Sequence, residues 1–178
     1  MTRRLSVTLL GLGVAAAVVA HAAPAAVPSA PSPAVVLTGR IYSISDGDTV
    51  RVTASDGMDL GRVRLLGINA PELGHDDQPE QCWAAHAREA LARIVPVGSA
   101  VQLVADPAQA DRDVYGRPLR YLVHSDIDVQ QTLLRQGAAR PFWPTGAGAQ
   151  AALYHLAAAA EAEHAQRGRW AACPEGVP

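Results

Sequence analysis

The sequence predicts an α+β domain, a small closed five-stranded barrel with helices packed outside it. Three observations carry that reading. Five short runs of β-forming residues are separated by Asp/Gly/Ser turns. One helical pattern is inserted after the third run. Two more helical patterns, each followed by glycine, end the chain.

The elements follow in order. Val35–Ser45 interleaves apolar and polar residues, and Asp46-Gly47-Asp48 supplies turn chemistry before a second strand, Thr49–Thr53. Ser55-Asp56-Gly57 marks the next turn and Arg62–Leu66 is a third strand. A helix from about Gln81 to Ile94 places Trp83, Ala87, Leu91 and Ile94 on one buried face, and Pro96 and Gly98 end it. Val101–Val104 and Leu119–Val123 are strands four and five, separated by the polar segment Asp106–Gly116. Asp128 is an N-cap with Gln131 three residues on, Val129, Leu133 and Leu134 form that helix's apolar stripe, and Gly137 is its stop. The final helix runs from about Ala149 to Arg167, before Gly168. This succession fits the OB-fold, whose open face binds oligonucleotides. Fold alone does not give function.

Ahead of the domain, Arg3 and Arg4 followed by the apolar run Leu5–Ala20 and Ala20-His21-Ala22 read as a signal peptide over residues 1–22. The alternative is a membrane anchor, for which the run is short. Thr2-Arg3-Arg4-Leu5 also matches part of a twin-arginine signal. Residues 23–33 form a flexible Ala/Pro/Ser-rich segment, the folded domain occupies residues 34–173, and 174–178 are a tail. The leader places the mature chain outside the cytoplasm, without stable membrane association once it is cleaved. There is no lysine. Without Arg3 and Arg4 the basic residues number 13 against 17 acidic ones, a net charge of −4. Attraction of a polyanion must therefore come from a local arginine cluster. Cys82 and Cys173, far apart in an exported chain, read as a disulfide, the alternative being two buried thiols.

Three segments carry chemistry. In Val63–Glu72, VRLLGINAPE, Arg64 ends an apolar strand, a tight turn follows, and Glu72 lies just beyond it. A charge inside an apolar run needs a partner, and a phosphate beside a metal is one. By itself Arg64 also reads as a snorkelling edge residue. In Asp46-Gly47-Asp48-Thr49, Asp48 opens a strand and can aim a carboxylate at a hard cation, although Asp-Gly is more often only a hairpin turn. In Asp111–Arg117, DRDVYGR, Gly116 permits a bend that leads Arg117 into a strand; a charged loop is otherwise simply solvated. Two guanidinium groups bind phosphate bidentately at any ordinary pH, and a carboxylate can activate water. The six histidines show no zinc spacing and read as surface or core-edge residues.

VRLLGINAPE, DGDT and DRDVYGR in this order, followed by LLRQGAAR, resemble the staphylococcal nuclease (thermonuclease) family over about Val36 to Trp170. The resemblance implies an OB-fold barrel with three helices and calcium-dependent hydrolysis of DNA and RNA. By motif, Arg64 and Arg117 match the catalytic arginines and Glu72 the general base. Asp48 matches a calcium-ligating aspartate, Asn69 stands where the family has its second, and Ala70 where a backbone carbonyl binds the ion. Tyr115 matches a tyrosine of the phosphate site and Trp143 an aromatic packed on the nucleotide. Asn69 replaces an anionic ligand with a neutral oxygen, which lowers the expected calcium affinity; Asp46 is a further carboxylate in the neighbouring turn. The expectation is therefore a secreted, monomeric, metal-dependent endonuclease acting on DNA and/or RNA. The rival readings are an OB barrel that grips a strand or a protein without cutting it, and a nuclease whose metal dependence has drifted.

Overall fold

The computed structural model describes residues 35–75, 78–143 and 151–174. The leader, residues 23–33 and all but the first residue of the tail lie outside the described residues. No helix among the described residues is long and apolar enough to cross a membrane.

Strands β1 (Val36–Ile44), β2 (Thr49–Ala54) and β3 (Asp59–Leu65) form an antiparallel meander. β1 also pairs with β5 (Ala100–Val104), and β5 with β6 (Leu119–His124), both antiparallel. β6 returns to β3 in a short parallel pairing, Arg64 opposite Leu119 and Leu65 opposite Arg120, and this closes a five-stranded barrel. Alternation fixes which side chains fill it: Ile41, Val50, Val52, Val63, Leu65, Leu103 and Leu122 are buried.

The helix after the third strand is α1 (Ala84–Ile94), and Ala87 and Leu91 of its expected face are buried while Trp83 and Ile94 pack on the core's edge. It starts three residues later than the periodicity suggests. Trp83 stands at its N-cap with φ 74°, and Gln81 is committed elsewhere. α2 (Val129–Arg135) is capped as its sequence predicts, with Asp128 accepting the Gln131 N–H at 2.8 Å. Its end is a Schellman motif: the Ala138 N–H reaches the Leu133 carbonyl and the Gly137 N–H the Leu134 carbonyl. Gly137 has φ 67°, and a Cβ there would lie 2.1 Å from the Arg167 carbonyl oxygen, so glycine is required twice over. α3 is Ala151–His164, and a short α4, Arg169–Ala172, follows Gly168.

Three further elements have no sequence signal. β4 (Gly67–Asn69) pairs antiparallel with β8 (Arg140–Phe142), and β7 (Ile127–Asp128) forms a hairpin on β6 through Ser125 and Asp126, both at positive φ. Two or three residues are too few to show a period of two. Cys82 and Cys173 are joined by a disulfide, Cα–Cα 5.8 Å, tying the entry of α1 to the end of α4. Closing a loop of that length stabilises the fold by roughly 4–5 kcal/mol in the chain-entropy account.

Candidate active site

Arg64 sits at the barrel's closing rung. Its N–H donates to the Pro118 carbonyl at 2.9 Å, and the chain then turns sharply into β4. That turn wraps the side chain, which is only 10% exposed. Nη1 donates to the carbonyls of Leu65 (2.8 Å) and Ile68 (2.9 Å), while Nη2 donates to Asn69 Oδ1 (2.8 Å) and lies 2.9 Å from Asp48 Oδ2. The charge in the apolar strand is thus satisfied by the carbonyls of the turn that follows it and by a buried carboxylate. Gly67 makes the turn possible: its φ is 85°, and a Cβ would meet the His155 imidazole at 2.9 Å and the Trp143 indole at 3.2 Å.

Asp48, 1% exposed, is tied to the same turn. Its carbonyl accepts the Leu65 N–H, its Oδ2 accepts the Ala70 N–H at 2.7 Å, and its Oδ1 accepts the Thr49 hydroxyl at 3.1 Å. Asp46 Oδ1 accepts the Asp48 N–H at 2.9 Å. Burial pushes the Asp48 carboxyl up to about 7 against the pull of Arg64, and Asp46 adds to the rise.

Glu72 follows Pro71 and is anchored through its backbone. Its N–H donates to Gln81 Oε1 (2.9 Å), and its carbonyl accepts the Gln81 N–H (3.0 Å). The residue is exposed at the rim, leaving the carboxylate free to reach a ligand. The protein atoms around that carboxylate nonetheless displace enough water to raise its pKa, and Asp46 raises it further. Arg64, Arg117 and His75 oppose the rise. Both arginines therefore act on this one carboxylate.

Arg117 closes the loop before β6. Asp113 organises it: Oδ1 accepts the N–H groups of Tyr115 and Arg117, and Oδ2 accepts Arg117 Nε at 2.6 Å. These bonds hold the Asp113 carboxyl below the usual aspartate range despite its partial burial. The Arg117 guanidinium lies 5.4 Å from the Tyr115 ring centre, and Tyr115 is 81% exposed.

Arg64, Asn69, Glu72, Tyr115 and Arg117 line one open cleft of about 390 Å3. Asp48 lies beneath its floor, bonded to Arg64 and Ala70. Trp143 is not among the residues lining the cleft. Its indole donates to the Tyr121 hydroxyl at 3.3 Å and stacks on His155, whereas its neighbour Phe142 does line the cleft. His155 is itself fully buried, with Nε2 3.2 Å from Asp128 Oδ2. A histidine in an alanine-rich helix gave no warning of that.

The donors near Arg64 are all oxygens, which is the chemistry of a hard cation such as calcium. Asp46 repels both Asp48 and Glu72, and helps raise the pKa of each. No group of three His, Cys, Asp or Glu side chains among the described residues could hold a metal by itself. An ion here would thus draw on Asp48, Asn69, the Ala70 carbonyl and water or phosphate oxygens.

Sequence reasoning passed over Asp113 and Gln81. The first had a signal, the i, i+4 spacing to Arg117. Gln81 had none, because its contact with Glu72 is made by a loop folding back on itself.

Comparison with known proteins is consistent with this geometry. The chain is 35% identical over 96 residues to the SPbeta prophage-derived endonuclease YokF of Bacillus subtilis (strain 168), covering 53% of this chain and 31% of that protein. It is 33% identical to endonuclease YncB of the same strain over 53% of this chain and 43% of YncB. It is 29% identical to the probable endonuclease lcl3 of Emericella nidulans over 57% of this chain and 46% of lcl3. The chain thus spans about a third to a half of the length of these relatives. The description "Staphylococcal nuclease homologue" matches residues 62–172, a stretch containing Arg64, Asn69, Glu72 and Arg117, and by that match over more than half its length the chain belongs to the staphylococcal nuclease homologue family.

Proposed function

We propose that this domain is an endonuclease hydrolysing phosphodiester bonds of DNA and/or RNA, with Glu72 as general base and Arg64 and Arg117 as phosphate ligands. The observation that carries the reading is the meeting of these three side chains in one open cleft, with both guanidinium groups acting on the Glu72 carboxylate. Glu72 takes a proton from a water molecule. The water oxygen attacks phosphorus in line, and the bond to the 5′ oxygen breaks, leaving a 3′-phosphate and a 5′-hydroxyl protonated by solvent. Arg117, oriented through Nε by Asp113, and Arg64 stabilise the charge that develops on the non-bridging oxygens. Arg64 Nη1 is spent on carbonyls, so Nη2 must exchange Asp48 and Asn69 to reach a phosphate. Asp48, Asn69 and the Ala70 carbonyl are the groups that would hold a calcium ion, which would supply additional positive charge at the phosphate.

The relatives' printed names, two of them endonucleases and one a probable endonuclease, support the activity. The Cys82–Cys173 bridge supports an oxidising, extracytoplasmic setting. We place the mature domain there as a monomer. Purified domain incubated with plasmid and with RNA is expected to cleave in calcium and not in a chelator. Binding without cleavage in calcium, in magnesium and in their absence would replace this reading with that of a binding module.

A further inference from the structure

Between β5 and β6, residues 105–118 form no helix or strand apart from an isolated bridge between Arg112 and Pro118. Yet this segment delivers Arg112, Asp113, Tyr115 and Arg117 to the cleft. A loop of that length carries a site accurately only where something ties it to the scaffold. The tie is Arg120, on β6. Its Nη2 is 2.6 Å from Asp111 Oδ1, and its Nη1 donates to the carbonyls of Asp111 (3.1 Å) and Leu119 (2.7 Å). The Asp111 carbonyl also accepts the Leu119 N–H at 2.9 Å. The pair is lopsided: the Arg120 side chain is 9% exposed and that of Asp111 65%. A buried cation thus reaches outward to hold the mouth of the loop.

Arg120 is also part of the rung that holds Arg64. It stands opposite Leu65 in the parallel β3–β6 pair, and its carbonyl accepts the Leu66 N–H and the Gln130 side-chain amide. One end of the tie is therefore fixed beside the first phosphate-binding arginine, and the other fixes the loop that bears the second. We infer that the Asp111–Arg120 pair is a positioning element that ties the Arg117-bearing loop to the barrel, and that it acts on the phosphate through Arg117. This rests on the phosphodiesterase reading of the cleft. Neither residue needs to touch substrate.

The test combines a double-mutant cycle with amide exchange. Asp111→Ala is expected to lower kcat/KM by about tenfold or more, a loss that largely disappears when Arg117 is already alanine and persists when Arg64 is alanine. A purely structural role would multiply with both arginine substitutions alike, and that result overturns the inference. Independently of turnover, the amides of Leu119 and Arg117 are expected to exchange at least about tenfold faster in Asp111→Ala, with Val63 and Leu122 unchanged; unchanged loop exchange overturns it as well. Asp111→Asn, which keeps an oxygen acceptor without the charge, is expected to fall between the two and serves if the alanine variant does not fold. A wild-type protein that cleaves nothing sinks the reading of the cleft, and the exchange measurement still decides whether the tie exists.

Discussion

A guanidinium enclosed by carbonyl oxygens loses its freedom, and this is the state of Arg64. Arg117 reaches the same condition differently, with Nε on Asp113 and its backbone N–H on the same carboxylate. Pre-orientation of this kind makes each guanidinium worth more to a developing charge than a mobile lysine. Arg117→Ala is expected to lower kcat by about 10²–10³-fold, the range for loss of one oriented donor; a loss below threefold in steady-state assays would remove it from the transition state. Glu72 has its pKa raised by burial and by Asp46. A base works only when deprotonated, so activity falls as pH drops through that raised value. The acid limb of the kcat/KM profile is expected above the ordinary glutamate range of about 4.3, and a limb at or below it contradicts the assignment. Asn69→Asp, which restores an anionic oxygen beside Arg64, is expected to lower the calcium concentration giving half-maximal activity, by several fold in a calcium titration; an unchanged or higher value means that Asn69 is not a ligand. At this scale the sequence pointed to the three side chains that meet in the cleft, because each sits in a motif of fixed spacing. It did not show what holds them, because carbonyls of a turn and a glutamine across a loop have no residue-type signature.

α2 shows how an element can serve the site without touching it. Asp128 caps the helix with Oδ1, and its Oδ2 meets the buried His155 of α3. Asp128→Ala removes a cap and leaves a buried imidazole nitrogen unpaired, a loss of about 2 kcal/mol or more; urea denaturation checks it, and a change under about 0.5 kcal/mol contradicts it. The Asp128 pKa is lowered, so its folded value lies below its unfolded one. Its contribution is then fully present above the unfolded pKa and is lost as pH falls through the depressed folded value. The helix and its cap were legible because they obey local rules. The β4–β8 pair was not, though it matters more to the cleft. It turns Gly67–Asn69 around Arg64, brings Phe142 to the cleft wall, and leaves Trp143 stacked on His155. A three-residue strand with glycine at positive φ is made by its tertiary partners.

Across the molecule, the barrel closes where the site lies. The two-rung parallel pairing of β3 and β6 holds Arg64 and, two residues before Leu119, Arg117. The five strands and a closed barrel were predictable from alternation and element order, but the rung that closes it, Arg64 opposite Leu119, was not, since it joins elements about 55 residues apart. The Cys82–Cys173 bridge ties the entry of α1 to the end of α4. Replacing both cysteines with serine is expected to cost about 2–5 kcal/mol in thermal or chemical unfolding; an unchanged midpoint would mean the bridge does not stabilise the fold. The central claim is that Glu72 activates the attacking water, and the most direct measurement is the turnover of Glu72→Gln on single-stranded DNA in calcium. The account predicts a fall of about 10²–10⁴-fold with the melting temperature retained. Turnover equal to that of the unmodified protein would contradict it.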